Sequence, residues 1–536
     1  MSNFANMIFV FRNNTIERFL PADCQFSGYD DISVVPNDAT DFIWWYQVPL
    51  KFDETAVAEE IKTYYSKLQL VLPQIKSRQI IIFTLADYCH TPIETGNNIL
   101  QKAIGEFNES IYNLSQQYPN IKILDFLSFT RRYSASDIVD WKMFLLAQIP
   151  LNPKLADAFK IWYNNQLKAI SLQRKKCLVL DLDNTLWGGI LGEDGLNNIQ
   201  LSGGYPGKAF HLWQEGLLQL KQSGVILCIC SKNNVEDVNE VWQKRNDMLL
   251  KRGDFAALRI NWHDKATNIK ELSKELNIGL DSMVFIDDNP LERELIKQVL
   301  PMIEVPEFPS QPYDLPLLYQ KLVHDYFQIY AVTNEDRQKT EQYMQNVHRR
   351  EAAAQFTDIK DYLRSLQIKL DIAPVNEQTL PRAAQLTQKT NQFNLTTKRY
   401  AENEIRSLLN SGARAWTLSV ADKFGDSGIT GLIIITADGV IDTMLMSCRV
   451  LGKGIENAFL KTVLNQLRKE GVETIIGQYI KTAKNSQTAT FYPDNGFSGT
   501  MHSCTFNTGE DPQVFTMSLQ DADLSVDDYF EITVNE

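Results

Sequence analysis

The chain has 536 residues, of which 44% are hydrophobic, 22% charged and 10% aromatic. Taken at roughly 100–200 residues per domain, that length gives about three or four domains with apolar material for more than one core, which excludes a wholly disordered chain, a fibre and a small disulfide-stapled module. With 53 basic against 66 acidic residues the net charge is −13, and such a surface repels phosphate backbones and anionic membranes, so no nucleic-acid partner is expected.

No apolar run approaches the ~20 residues needed to cross a bilayer, and no membrane insertion is expected. The opening MSNFANMIFVFRNNTIERF lacks the charged-then-apolar order of a signal peptide. The seven cysteines are odd in number and scattered, which suits free thiols in a reducing, cytoplasmic setting. In residues 1–172, apolar strands (MIFVF, DFIWWY, QIIIFTL, IKILDFL) alternate with helix-like stretches, an α/β unit with a parallel sheet. Residues 176–309 repeat the alternation: strand KCLVLDL, a Gly-rich turn, a helix near Lys208–Gln222, strand VILCIC, a helix, a short strand, a helix from Lys265 to Leu276, and strand SMVFIDD. That doubly wound pattern places reactive groups beyond the carboxyl ends of its strands. Residues 310–345 read as a connecting helical segment. Residues 346–500 carry the β-runs RAWTLSVAD and GLIIITADGVIDTMLMSCRV, the second a hairpin turning at Ala437–Gly439, then a Gly turn and a helix from Ile455: an α+β domain. After Lys484 there is no Lys or Arg, so residues 501–536 are expected as a solvated acidic tail.

The strongest chemical signal is CLVLDLDNTLWGG. Asp181 emerges where the strand ends, and Asp183 follows near the same face. Ser231 ends the next strand in CICSKNN, with Lys232 and Asn233 behind it; Lys265 begins a helix; Asp287 and Asp288 end FIDD. These are the parts that phosphoryl transfer needs. One carboxylate attacks phosphorus, a second acid or base serves the leaving oxygen and the water, oxygen ligands hold Mg²⁺, and a lysine and a hydroxyl neutralise the phosphoryl oxygens. The set resembles the haloacid dehalogenase (HAD) phosphohydrolase superfamily. The resemblance makes Asp181 the nucleophile and Asp183 the general acid/base. It gives Thr185, Ser231, Lys232, Asn233 and Lys265 to the phosphate and its loop, and Asp181, Asp183, Asp287 and Asp288 to the metal. The gaps Asp181–Ser231 and Ser231–Lys265 leave no room for a cap domain, which favours a large substrate or one delivered by another protein.

In SCRVLGKGIENAF, Arg449, Gly452, Lys453 and Gly454 form a turn directly before a helix, where glycines let backbone amides approach a pyrophosphate. After a hairpin, and with KNSQTATFYPDNGF beyond a later strand, this is similar to the Gcn5-related N-acetyltransferase (GNAT) fold, which holds a pantetheine arm between splayed strands. Coenzyme A and the phosphopantetheine of an acyl carrier protein present that same arm. Cys448 stands at the positive end of the helix, either a thioester relay with a lowered pKa or a small buried strand residue. Cys230 is the second thiol candidate, with core packing as its alternative. The six histidines show no metal-ligand spacing.

The phrases LVLDLDNTLWGGILGEDG, CSKNN, NWHDKATNI, FIDDNPLER, TNQFNLTTKRY, DKFGDSGITG and SCRVLGKGIENA, in this order, resemble the FkbH-like family of HAD proteins. The first block is similar to that family's N-terminal domain, related to SGNH hydrolases, but has neither a Gly-Asp-Ser segment nor a terminal Asp-x-x-His; it is expected to be non-catalytic. The resemblance implies an SGNH-like domain, a capless HAD domain and a GNAT-like domain. It implies an enzyme that takes 1,3-bisphosphoglycerate, removes phosphate and loads the glyceryl unit onto an acyl carrier protein thiol, for polyketide or polysaccharide biosynthesis. The alternative is an N-acyltransferase using acyl-coenzyme A, its HAD block acting on an amino-sugar or sugar phosphate.

Overall fold

The structure is a computed structural model describing residues 7–76, 78–353, 358–447, 450–482, 484–500 and 512–535. Two compact units divide the chain at Ile170 and Ser171. In the first, strands β1 (Ile8–Arg12), β2 (Gln25–Tyr29), β3 (Asp41–Trp45), β4 (Gln79–Phe83) and β5 (Ile121–Leu124) form a parallel sheet in the order β2-β1-β3-β4-β5. The helix Glu54–Ile75 starts where the Asp53 carboxylate accepts from the amides of Thr55 and Ala56. It buries Val57, Ile61, Tyr64, Leu68, Val71 and Ile75, spaced three or four apart as a helix with one apolar face requires.

The second unit opens with a parallel sheet of β6 (Cys177–Leu180), β7 (Ile226–Ser231), β8 (Ala257–Ile260) and β9 (Met283–Ile286), ordered β8-β7-β6-β9 among the described residues. Every residue of β6, β7 and β9 is buried, as expected of parallel strands covered by helices on both faces. Between β6 and β7 the main element is the helix Gly207–Gln222, packed into the core by Phe210, Trp213, Leu217 and Leu220; no cap domain folds there among the described residues. After β7 comes the helix Val235–Lys244, shorter than the Val235–Leu250 expected from the sequence, and Met248 and Leu250 enter the core from the turn beyond it.

The rest of this unit is one sheet of β10 (Ile368–Pro374), β11 (Phe393–Asn394), β12 (Arg414–Asp422), β13 (Gly425–Ile435), β14 (Val440–Met446), β15 (Thr474–Tyr479), β16 (Ser498–Thr500), β17 (Gln513–Ser518) and β18 (Phe530–Val534). The order among the described residues is β16-β17-β15-β14-β13-β12-β10-β18, with β11 beside β14. The helix Ile455–Lys469 covers one face through Phe459, Val463 and Leu467. Gly477 on β15 is required by close approach, since a Cβ there would lie 2.5 Å from the Tyr492 ring.

One expectation is corrected. Residues 512–535 are not a solvated tail: β17 pairs with β15 and β18 with β10, and Phe515 and Met517 alternate inward on β17. β14 and β15 pair in parallel only at Val440↔Ile476 and Ile441↔Gly477. Beyond that point the Thr396 hydroxyl donates to the Asp442 carbonyl at 2.9 Å and the Leu395 amide to the Met444 carbonyl at 3.0 Å. The Ile480 amide then donates to the Leu395 carbonyl at 2.8 Å. The chain's own segment around Leu395 therefore lies beside β14 beyond that pair.

Phe515→Ala tests the new assignment of the terminus. Removing this buried ring, tilted against Tyr492 with centroids 5.5 Å apart, should cost about 3 kcal/mol in urea unfolding of the full chain. An unchanged midpoint would mean that the terminus does not pack.

Candidate functional site

The register Leu180↔Ile286 sets β6 and β9 side by side, so Asp181 and Asp287, each the next residue, emerge as neighbours. One oxygen from each of Asp181, Asp287 and Asp288 falls within 4.8 Å of the others. Lys265, buried at the start of its helix with Asp264 as the N-cap, reaches between them: its Nζ lies 3.0 Å from Asp181 and 2.5 Å from Asp287. Burial alone would depress this ammonium, but Asp181 and Asp287 outweigh it and hold the pKa above its ordinary value. Burial, with Asp181 next to it, raises the Asp287 carboxyl; burial with Asp181 and Asp287 pushes Asp288 up to about 6.

The Asp181 Oδ1 is buried without a hydrogen-bond partner. An orphaned carboxylate oxygen beside two more carboxylates fits a hard divalent cation, and Asp181, Asp287 and Asp288 are the side chains that would hold Mg²⁺. The Asp183 carboxylate is not among them; it is the backbone carbonyl of this residue that the HAD resemblance gives to the metal. Its Oδ1 accepts from Trp187 Nε1 at 2.9 Å and the Leu191 amide at 3.0 Å, and its Oδ2 from Asn233 Nδ2 at 2.8 Å. Burial raises its pKa against those three donors, which suits a carboxyl that must both give and take a proton.

The other sequence candidates divide. Ser231 ends β7 as a buried residue, and Asn233 serves Asp183. Lys232 pairs at 2.5 Å with Glu292 of the helix Pro290–Val299. The Thr185 hydroxyl accepts from the Asp288 amide at 3.2 Å and so ties the two aspartate loops together instead of facing a ligand. Burial drives the Cys230 thiol far above its ordinary pKa, a poor nucleophile. Sequence reasoning missed Trp187, four residues beyond Asp183. It also missed Arg293, which donates to the Asp287 and Asp288 carbonyls at 2.9 and 2.7 Å and fixes their turn. It missed, too, the meeting of Asp87, Cys89 and His90 in the first unit, where burial opposes but Asp87 and Cys89 win, pushing His90 up to about 10.

At the glycine turn, Cys448 and Arg449 lie outside the described residues. Gly452 and Gly454 take φ of 79° and 74°, the left-handed region that glycine enters freely, and Gly454 caps the helix Ile455–Lys469. Lys453 is drawn 3.4 Å from Asp422, which Arg349 also grips at 2.7 Å. A Cβ at Gly454 would stand 3.2 Å from the Tyr529 hydroxyl. Glu456 in the first turn has a buried Oε2 without a hydrogen-bond partner and a pKa raised by burial.

Residues 176–336 match the sequence profile of the NLI interacting factor-like phosphatases. Among solved structures, the chain is similar to the N-terminal part of a Bacteroides fragilis protein containing a phosphatase domain, complexed with Mg. The two share 27% identity over 61% of this chain and 94% of that one, with a TM-score of 0.51. It is also similar to the ribosomal-protein-S18-alanine N-acetyltransferase of Escherichia coli (16% identity, 29% of this chain, 96% of that one, TM-score 0.23). A GNAT-family acetyltransferase of Staphylococcus aureus stands alongside it (15%, 28%, 99%, 0.23). No curated protein matches the chain in sequence. No helix among the described residues is long and apolar enough to cross a membrane. Residues 176–336 thus form a phosphatase domain of the HAD type.

Mg²⁺ should raise the melting temperature of the full chain, because an ion that binds only the folded state stabilises it. Asp287→Asn should abolish that rise, and Asp183→Asn should keep it, since that carboxylate is turned to Trp187, Leu191 and Asn233. Loss of the rise in Asp183→Asn would remove the assignment of the three-carboxylate site.

Proposed function

We propose that this chain is an Mg²⁺-dependent phosphatase coupled to transfer of a glyceryl unit from 1,3-bisphosphoglycerate to an acyl carrier protein thiol. The observation that carries the phosphatase half is the buried, unpartnered Asp181 oxygen beside Lys265, Asp287 and Asp288. Mg²⁺ supplies charge neutralisation of the phosphoryl oxygens. The transfer half is supported by the phrases shared with FkbH-like proteins and by a hairpin, glycine turn and helix at β13–β14 and Ile455–Lys469.

Chemistry orders the steps. The acyl phosphate is the activated group, and hydrolysing it first would discard the energy that makes the thioester. The carrier thiol therefore attacks the acyl carbon, the carbon–oxygen bond to phosphate breaks, and inorganic phosphate leaves. The Asp181 centre then acts on the remaining phosphate monoester: Asp181 bonds to phosphorus while Asp183 protonates the departing hydroxyl oxygen. Asp183 next takes a proton from the water that releases phosphate from Asp181. An open centre without a cap accommodates a substrate carried on another protein.

Intact-mass measurement of a holo-carrier incubated with the chain, 1,3-bisphosphoglycerate and Mg²⁺ tests this. Wild type should add a glyceryl unit. Asp181→Asn should add the heavier phosphoglyceryl unit, and Asp183→Asn should slow its dephosphorylation about 10²- to 10⁴-fold. Phosphate release with no mass gain on the carrier would reject the transfer half.

A further inference from the structure

A cavity of about 460 Å³ lies between the phosphatase block and the large sheet, inside the second unit. Its phosphatase wall comes from the amino ends of the strands: Lys176 precedes β6, Gly224 and Ile226 stand at the start of β7, and Asp281 and Ser282 precede β9. Asp181 follows the other end of β6. The cavity and the aspartate centre are thus separated by the strand Cys177–Leu180, about 15 Å of extended chain, and open toward opposite ends of the sheet. The sheet wall of the cavity includes Met446 and Ser447, the last described residues before the turn that holds Cys448.

The charge of this cavity runs against that of the molecule. Lys176, Lys339, Arg382, Lys389 and Lys484 line it, with Asp281 as the acid among the lining residues; Lys484 is paired with that Asp281. Behind the wall a single buried carboxylate, Asp336, serves three cations: Lys339 at 2.7 Å, Lys389 at 3.2 Å and Arg174 at 3.7 Å. Lys176 Nζ stands 3.5 Å from the Lys389 carbonyl, and the Arg382 guanidinium donates to the carbonyl of Ile429 at 3.0 Å. Two anions, Asp281 and Asp336, stand against six cations here, an excess of formal positive charge that a further anion entering the cavity would offset. Burial drives Lys339 well down, and burial with Arg174 and Arg382 nearby brings Lys389 to about 8 in spite of Asp336. The apolar part of the lining is supplied by Ile226, Ile278, Leu280, Met302 and Met446.

We propose that this cavity is a second anion site, distinct from the phosphatase centre, which binds a small phosphate ester. The phosphate lies among Lys176, Lys339, Arg382 and Lys389, and the body of the ligand lies along the apolar part of the lining. The volume is that of an ordinary small-molecule site, in which a few charged groups fix orientation and apolar surface supplies burial. Two sources offer the same chemistry: a free phosphorylated metabolite and the phosphate-bearing arm of a carrier or cofactor. The inference does not depend on the acyl-transfer reading, because binding is read directly.

Calorimetric titration of the full chain in EDTA, with 3-phosphoglycerate and with 4′-phosphopantetheine as separate probes, tests the proposal. At least one probe should bind, Asp181→Asn should leave its affinity unchanged, and Lys176→Gln should weaken it by about tenfold, one lost charged hydrogen bond. Binding should also be tighter at pH 7 than at pH 9. The groups facing Lys389 are Asp336, Arg174, Lys339, Arg382 and Lys176; with a pKa near 8, Lys389 is charged at the lower pH and neutral at the higher. Lys389→Gln should flatten that dependence while the melting curve reports that the chain is folded. Binding of the pantetheine probe alone identifies the arm as the occupant, and binding of the glycerate probe alone identifies the free metabolite. Failure of both probes, or binding lost in Asp181→Asn and indifferent to Lys176→Gln, overturns the proposal.

Discussion

The phosphatase block depends on how charge of one sign is tolerated where two parallel strands end. The β6–β9 register forces Asp181 and Asp287 out together, and Asp288 follows at once. Three carboxyls so close repel one another, and burial removes the water that would screen them. The Lys265 ammonium, set by the first turn of its own helix, compensates two of them. Breaking such a buried pair by deleting one partner typically costs about 3–5 kcal/mol, so Lys265 is a structural tie of this centre. Arg293 and Thr185 act on the backbone side of the same problem by fixing the turn that carries Asp287 and Asp288.

Much of this was legible in the sequence, because strands buried on both faces announce themselves as apolar runs and their first polar residue marks the carboxyl end. CLVLD and MVFID could be read in that way, and both led to a carboxylate of the centre, while CICS led to Ser231, buried at the end of β7. Side-chain direction was not legible. Lys232 and Ser231 are adjacent in the chain, yet one pairs with Glu292, a partner sixty positions away. The Asp183 carboxylate faces three donors that only the fold assembles. The terminus misled for a different reason: composition reports average polarity, whereas β17 needs only Phe515 and Met517 in alternation to join a sheet. The basic cavity was invisible too, since its cations come from four separate stretches between Lys176 and Lys484 in an acidic chain.

The two blocks of the second unit share more than a covalent link. The helix Asn334–Ala353 carries Asp336 and Lys339 from the phosphatase side to the helix Leu380–Lys389 of the other block, where Lys389 and Gln385 meet the same carboxylate. Arg174 approaches it from just before β6. A residue ahead of the first catalytic strand and one on a helix of the neighbouring sheet are therefore coupled electrostatically through Asp336. A change in charge at the seam is felt on both sides of it.

Thr396, Leu395 and Asn485 give the far half of β14 a resident neighbour: the Asp442 and Met444 carbonyls are taken, and Asn485 clasps Asn394 and Ile480 through one amide. An extended guest seeking those carbonyls meets a seat already filled, and it must evict Leu395 before it can gain a single backbone bond. Residues 393–396 are thus built into this edge of the sheet, held from one side by β14 and from the other by Ile480 and Asn485.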